Sequence, residues 1–401
     1  MNALTQTGPL SVKSSFGGRK VVDADTHFSE PFDLWTKRAP SKYKAKVPQV
    51  VEVNGQLRWM IDETHSIGYG ASSSSAIRKD GSRAELGGTS GIPFAEALPA
   101  CFDAKARVAV MDACGVTAQI AYPNLLGFGS TSANKVDPAI RAISMQIYND
   151  AMAEFQEESG RRIFPMALVP WWDCKAMVEE TRRAHEMGLR GVTTNPEPFE
   201  HVDADGKPLP DLGHRHWDPF WEVCQSLDMP VNFHIGASAA SIDWGASKGW
   251  PSAPPFVRTA VGGTLLFLSN ASTMGNIVFS GLLDRYPKLK FVSVESGLGW
   301  IPFVMETWDY QITQSSFKLQ RAPSEYVRHN FHTMFWYERE NLCRDIKKVG
   351  VDNVMFETDF PHPGGLWPIS IDVASAFAGL EEAEIAKVLS GNAVRVYNLP
   401  I

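Results

Sequence analysis

Two hydrophobic periods alternate along this chain. Short apolar runs, among them Ile163–Val169, Pro230–His234, Leu289–Glu295 and Phe331–Trp336, have the length of buried strands. Between such runs, apolar residues recur every three or four positions, as on a helix with one buried face; Ala104–Cys114, Val136–Glu158 and Ala176–Met187 are the clearest. Gly115 and Gly188 stop two of these helices, the usual role of glycine past a helix end. The pattern predicts strands at Arg19–Asp25, Val116–Tyr122, Ile163–Val169, Arg190–Thr194, Pro230–His234, Leu289–Glu295, Phe331–Trp336 and Asn353–Asp359. Further helices are predicted at Pro219–Leu227, between Phe256 and Met274, and at Gly281–Tyr286, Glu340–Val349 and Glu382–Leu389. Eight strands, nearly all followed by a helix, imply parallel pairing with right-handed crossovers. The expected fold is therefore α/β, a (β/α)8 TIM barrel. A doubly wound open sheet is the alternative, but it would want a glycine-rich turn after the first strand, and this chain has none there.

One region breaks the alternation. Val50–Ile61 reads as a hairpin, and residues 66–92 are rich in serine and glycine, as loops are. The expectation is a loop and hairpin segment, about 48–100, inserted after strand 1, with a lid over the barrel mouth as a second reading. Residues 1–18 read as a flexible arm and residues 19–401 as a single barrel domain.

Charge narrows the partners. Thirty-eight Lys and Arg against 45 Asp and Glu leave a net −7, which argues against nucleic-acid binding. No run of 18 apolar residues predicts a membrane span, and the polar first 20 residues lack a signal-peptide core, so a cytoplasmic protein is expected. Five scattered cysteines with no C-x-x-C predict neither a disulfide framework nor a structural zinc site.

Active sites of such barrels lie at the C-terminal strand ends. Here those ends carry Asp23-Ala-Asp25-Thr-His27 with Glu30 beyond, then His234, Glu295, and Asp359 with His362 three residues on. Residues two apart on a strand share a face, so Asp25 and His27 point at one metal together. Several carboxylates in one mouth would repel one another, and a divalent cation removes that conflict. His332, on strand seven, faces either into the barrel or outward. Arg190 and Arg339 are candidate partners for a substrate carboxylate, and Trp171-Trp172 reads as packing or a pocket wall. His65, His185, His201, His214, His216 and His329 read as surface or structural.

Five segments together resemble a known group. They are the opening D-x-D-x-H-x-x-E-P, the strand-five Phe-His234, Glu295-Ser-Gly-Leu-Gly-Trp300-Ile-Pro, Thr358-Asp359-Phe-Pro-His362, and the closing Gly391-Asn-Ala-Val-Arg-Val-Tyr-Asn-Leu399. In order, from about Val21 to Leu399, they resemble the amidohydrolase-related superfamily that includes aminocarboxymuconate-semialdehyde decarboxylase. The resemblance implies a metal-dependent barrel with ligands at Asp25, His27, His234 and Asp359. It also shows departures: Asp25 stands where many relatives have histidine, and Glu295 where the decarboxylases place a catalytic histidine.

Asp25, His27, Glu30, His234, Glu295 and Asp359 form the candidate metal set, and Glu295, Glu30 and His332 the candidate catalytic groups. A set this rich in carboxylates favours iron or manganese and resembles the dinuclear iron or manganese–iron branch of the superfamily. The leading expectation is O2-dependent hydroxylation of an aliphatic C–H bond in a small organic substrate. The alternatives are a mononuclear zinc or manganese hydrolase or non-oxidative decarboxylase of a carboxylate-bearing substrate, and a metal-binding partner subunit. A homo- or hetero-oligomer with a related barrel is expected.

Overall fold

The computed structural model describes residues 16–67, 72–73, 76–84, 92–127, 133–203, 205–238, 250, 252–369 and 371–401. Eight parallel strands make up the barrel: β1 (Val22–Phe28), β2 (Ala118–Pro123), β3 (Ile163–Pro165 and Ala167–Leu168), β4 (Val192–Thr193), β5 (Val231–His234), β6 (Phe291–Val294), β7 (Phe331–Phe335) and β8 (Val354–Phe356). They pair in sequence order. The first half of β3 pairs with β2 and its second half with β4, the break falling at Met166. The circle closes between β8 and β1, where Thr26 bridges Phe360, His27 N donates to Phe360 O at 2.7 Å, and Asp359 N donates to Asp25 O at 2.9 Å.

Helices follow the strands on the outside: α1 (Ala104–Cys114), α2 (Pro138–Glu158), α3 (Cys174–Glu186), α4 (Asp218–Ser226) and α5 (Pro255–Phe279). Three start alike. The side chains of Asp103, Asp137 and Asp173 accept from Ala106, Ala139 and Ala176 N–H, satisfying first-turn donors. Two helices between β6 and β7, α6 (Ile301–Thr313) and α7 (Pro323–Asn330), were absent from the sequence expectation. Both begin with a proline in the first turn, where its missing N–H costs nothing. Ile301, Val304, Met305 and Trp308 keep helical spacing. α8 (Leu342–Val349) precedes β8.

The inner core consists of Val22, Ala24, Ile120, Phe164, Val292, Val294, Met334 and Met355. The closing segment plugs its floor with Ala393, Val396, Tyr397 and Leu399. Tyr397 reaches up inside: its hydroxyl donates to Asn232 Oδ1 at 2.8 Å and lies 2.9 Å from Tyr122 Oη.

The insertion after β1 holds the predicted hairpin, Gln49–Val53 against Gln56–Ile61. In the serine-rich stretch, residues 68–71, 74–75 and 85–91 lie outside the described residues. The rest is laddered, Ser72–Ser73 with Ile92–Pro93, and Arg83 Nη1 donates to Gly365 O at 2.6 Å, tying it to the loop after β8. Residues 1–15 lie outside the described residues. Phe16 is buried against Phe356, ring centroids 5.6 Å apart.

Candidate metal centre

A bulge in β1 aims the first two groups. Asp23 is opposite Gln119 and Thr26 opposite Ala121, so β1 spends three steps where β2 spends two. An extra residue flips the alternation that follows. Val22 and Ala24 face the inner core below the bulge, and Asp25 and His27 enter the cluster above it. Asp23 is left at the seam: Oδ1 accepts from Thr358 N at 2.8 Å and Oδ2 from Thr358 Oγ1 at 2.6 Å. The expected first strand, Arg19–Asp25, therefore starts later and continues to Phe28, because the bulge and the closing bridge keep residues 25–28 in the ladder.

Four strands deliver ligand-type atoms to one point. His27 Nε2 lies 3.5 Å from Asp25 Oδ1 and 3.5 Å from Asp359 Oδ1. His234 Nε2 lies 3.1 Å from His27 Nε2, 3.6 Å from Asp25 Oδ2 and 3.5 Å from Glu295 Oε2. Ligands about 2.1 Å from a tetrahedral or octahedral dication are separated by about 3.0–3.4 Å. These spacings fit that shell. His234 Nδ1 lies 2.8 Å from Ile235 O, which can only accept, so in the neutral ring Nδ1 carries the proton and Nε2 offers its lone pair inward. Both oxygens of Asp25 and both of Glu357 are buried without a hydrogen-bond partner among the described residues, and Asp359 Oδ1 is met by His362.

His362 completes a second face of the cluster with His27, Glu295 and Asp359. Its Nδ1 is 2.6 Å from Asp359 Oδ1, a contact that needs one proton between the two atoms, and its ring stacks on His27 at 3.9 Å. Glu295 and Asp359 both sit at strand ends with left-handed backbones, φ 53° and 57°. Such conformations are costly for non-glycine residues and concentrate at functional sites. Glu338 braces the first, its Oε1 accepting from Leu298 N at 2.6 Å. Gly365 braces the second: a Cβ there would stand 2.5 Å from Thr358 O and 2.7 Å from Asp359 O.

Electrostatics point the same way. Burial, only partly opposed by His362, pushes the Asp25 carboxyl up to about 8. Burial and neighbouring carboxylates hold Glu295, Glu357 and Asp359 well above the usual range. Burial keeps His27 and His362 low and takes His234 down to about 4. Neutral imidazoles among crowded carboxyls are a donor set that a dication would neutralise. The residues present fit a divalent metal.

Four sequence-derived candidates go elsewhere. Glu30 is buried, but its Oε1 accepts from Asn124 N and Leu125 N, both at 2.9 Å, so the loop after β2 holds it away from the cluster. His332 pairs with Val292 near the start of its strand, and its charged surroundings are Arg395, Lys290 and Asp352 at the barrel floor. Burial takes it down to about 3. Arg190 precedes β4 and so lies at the same end, and Arg339 Nη1 donates to the carbonyls of Trp336 and Glu338. Sequence reading did not single out Glu357, although it directly follows β8 and, two residues before Asp359, shares that residue's face in an alternating strand.

The family profile described as Amidohydrolase matches residues 22–399. Gamma-resorcylate decarboxylase from Polaromonas sp. strain JS666 is 28% identical over 73% of this chain and 86% of its own length. An amidohydrolase from Mycobacterium avium subsp. paratuberculosis K-10 superposes with a TM-score of 0.75 at 24% identity, covering 94% of this chain and 99% of that one. A dihydroxybenzoic acid decarboxylase from Polaromonas sp. JS666, solved with manganese and the inhibitor 2-nitroresorcinol, gives 0.56 at 20% identity, covering 96% and 98%. These likenesses correct the expectation of an O2-dependent hydroxylase with dinuclear iron. The curated relative is a decarboxylase, and the metal in the solved decarboxylase is manganese. A carboxylate-rich donor set misled the reading because hard ligation suits manganese as well as iron.

Proposed function

This chain belongs to the amidohydrolase family, and from that premise we propose that it is a metal-dependent, non-oxidative decarboxylase of a hydroxylated aromatic carboxylate. Asp25, His27, His234 and Asp359 would hold a single manganese or zinc ion. When bound, that ion supplies Lewis-acid charge that anchors and polarises a carboxylate-bearing substrate.

The observation that carries the reading is the state of Glu295. Its side chain is 16% exposed, whereas Asp25, His27, His234 and Asp359 are at 0–2%, so it is the cluster carboxyl that a substrate can touch. With no ion bound, burial and the nearby Asp359 hold its carboxyl well above the usual carboxylate range. A protonated carboxyl beside the substrate is a general acid. Glu295 gives its proton to the ring carbon that bears the carboxylate, the C–C bond breaks, and CO2 leaves. The substrate anion plus one proton becomes the arene plus CO2. Glu295 thus takes the part that a histidine plays in the resembling decarboxylases. The decarboxylase relatives support the substrate class.

Helix α5 supports association with a second barrel. Its sequence is largely apolar, yet Phe256 is 72% exposed, and Phe303 and Tyr310 on α6 are 69% and 62% exposed. An apolar face of that kind marks an interface.

The test is CO2 release and arene formation from 2,6-dihydroxybenzoate and a panel of hydroxybenzoates by manganese-loaded protein. Glu295→Gln should abolish turnover with metal content retained. No release from any member of the panel sinks the reading.

A further inference from the structure

Outside the metal cluster, the loops after β2, β3 and β4 enclose a second cavity of about 290 Å³. Among the described residues, none of these loops supplies a group to the metal cluster. Arg141, in the first turns of α2, forms its floor and is only 8% exposed. Its guanidinium lies over the Trp172 ring, Cζ 3.8 Å from the centroid. Its one hydrogen bond is a long one, Nη1 to Asn134 Oδ1 at 3.5 Å, and its Nε is buried with no partner among the described residues. A guanidinium carries five N–H donors and cannot shed its charge. Asp137, at the start of α2, lends it a counter-charge, and a buried cation with so few hydrogen bonds is still expensive.

The rest of the lining is flat and donor-rich. Trp171 meets Trp172 edge to face at 5.6 Å and packs on His201 at 4.7 Å. Burial, with Arg141 nearby, holds His201 below its ordinary range. Lys135 and Glu200 sit on the exposed rim. His201, which its sequence context made surface or structural, lines this pocket, and Trp171-Trp172 is a pocket wall.

We infer that this cavity is a second binding site on the barrel, taking a planar aromatic carboxylate whose oxygens meet the free edge of Arg141 and whose ring lies among Trp171, Trp172 and His201. The guanidinium fork matches a carboxylate in geometry and charge. Indole walls suit a ring of benzoate size in a cavity of this volume. The site stands apart from the decarboxylation reading, since binding here needs neither metal nor turnover.

The test is calorimetric titration of the full-length, manganese-loaded protein with benzoate and with its neutral isostere benzamide. It is repeated on Arg141→Gln and on Asp359→Asn. Loss of a charge-assisted pair should weaken benzoate by about tenfold or more in Arg141→Gln, and benzamide should bind the unmodified cavity weaker by a similar factor. Asp359→Asn should keep the benzoate affinity. Benzoate binding that is lost in Asp359→Asn and kept in Arg141→Gln overturns the inference. So does benzamide binding as tightly as benzoate in Asp359→Asn, a comparison that needs no change at Arg141. Failure of CO2 release with benzoate binding intact would overturn the proposed reaction and leave this site standing.

Discussion

Substituting Glu30 separates a ligand from a loop anchor. In the structure its Oε1 takes two main-chain N–H bonds of 2.9 Å, from Asn124 and Leu125, residues that are 6% and 3% exposed. Glu30→Ala strands both donors away from water. At about 1–3 kcal/mol for each buried unpaired N–H, the loss is roughly 2–6 kcal/mol. Glu30→Gln keeps an acceptor in place and loses only its charge, about 1 kcal/mol per bond or roughly 2 kcal/mol in all. Both variants should bind metal at the wild-type ratio per chain, provided they are folded. Elemental analysis gives the metal content, and urea unfolding gives the stability order, wild type above Gln above Ala. A Glu30→Gln protein that keeps its unfolding midpoint but loses its metal would refute the reasoning, because it would make Glu30 a ligand after all.

His234→Ala removes an inward lone pair, and metal affinity in a competitive chelator assay should fall by more than the roughly 10–100-fold typical of outer-shell changes. Metal affinity should also depend on pH. Below about 8 a proton occupies Asp25 and competes, so affinity rises about tenfold per pH unit for each proton displaced; a flat profile in metal-buffer titrations would contradict it. The same raised carboxyl stabilises the metal-stripped fold fully below the unfolded value near 3.8 and ceases to do so as pH climbs through about 8. Between about pH 7 and 8.5, where the depressed histidines are neutral folded or unfolded, the stripped protein's melting temperature should therefore fall, and bound metal should suppress the fall. His332→Asn, at the barrel floor, should leave metal content and CO2 release unchanged, and a loss of either would return His332 to the site. Tyr397→Phe deletes one hydroxyl from the Tyr122–Asn232–Tyr397 group, so unfolding should cost about 1–2 kcal/mol less, with metal still bound.

Periodicity made most of the barrel legible. Ala104–Cys114 forms as predicted, and the eight strands fall within a few residues of their expected places, because burial against a core imposes a local repeat that sequence carries directly. The repeat also shows which strand ends bear ionisable groups, and so Asp25, His27, His234, Glu295 and Asp359 were all visible as candidates. Where each group lies was decided only by contacts between residues distant in the chain. A one-residue bulge in β1 sends Asp25 to the cluster and leaves Asp23 bonded to Thr358, 335 positions away. Glu30 is claimed by two N–H groups of another loop, and His332 by its height in the barrel. Arg141 is an ordinary helix residue in sequence, and only the approach of Trp172 and the loop after β4 strips it of water. Such outcomes depend on register, bulges and competition for hydrogen bonds across the fold, and no local repeat in the chain encodes those.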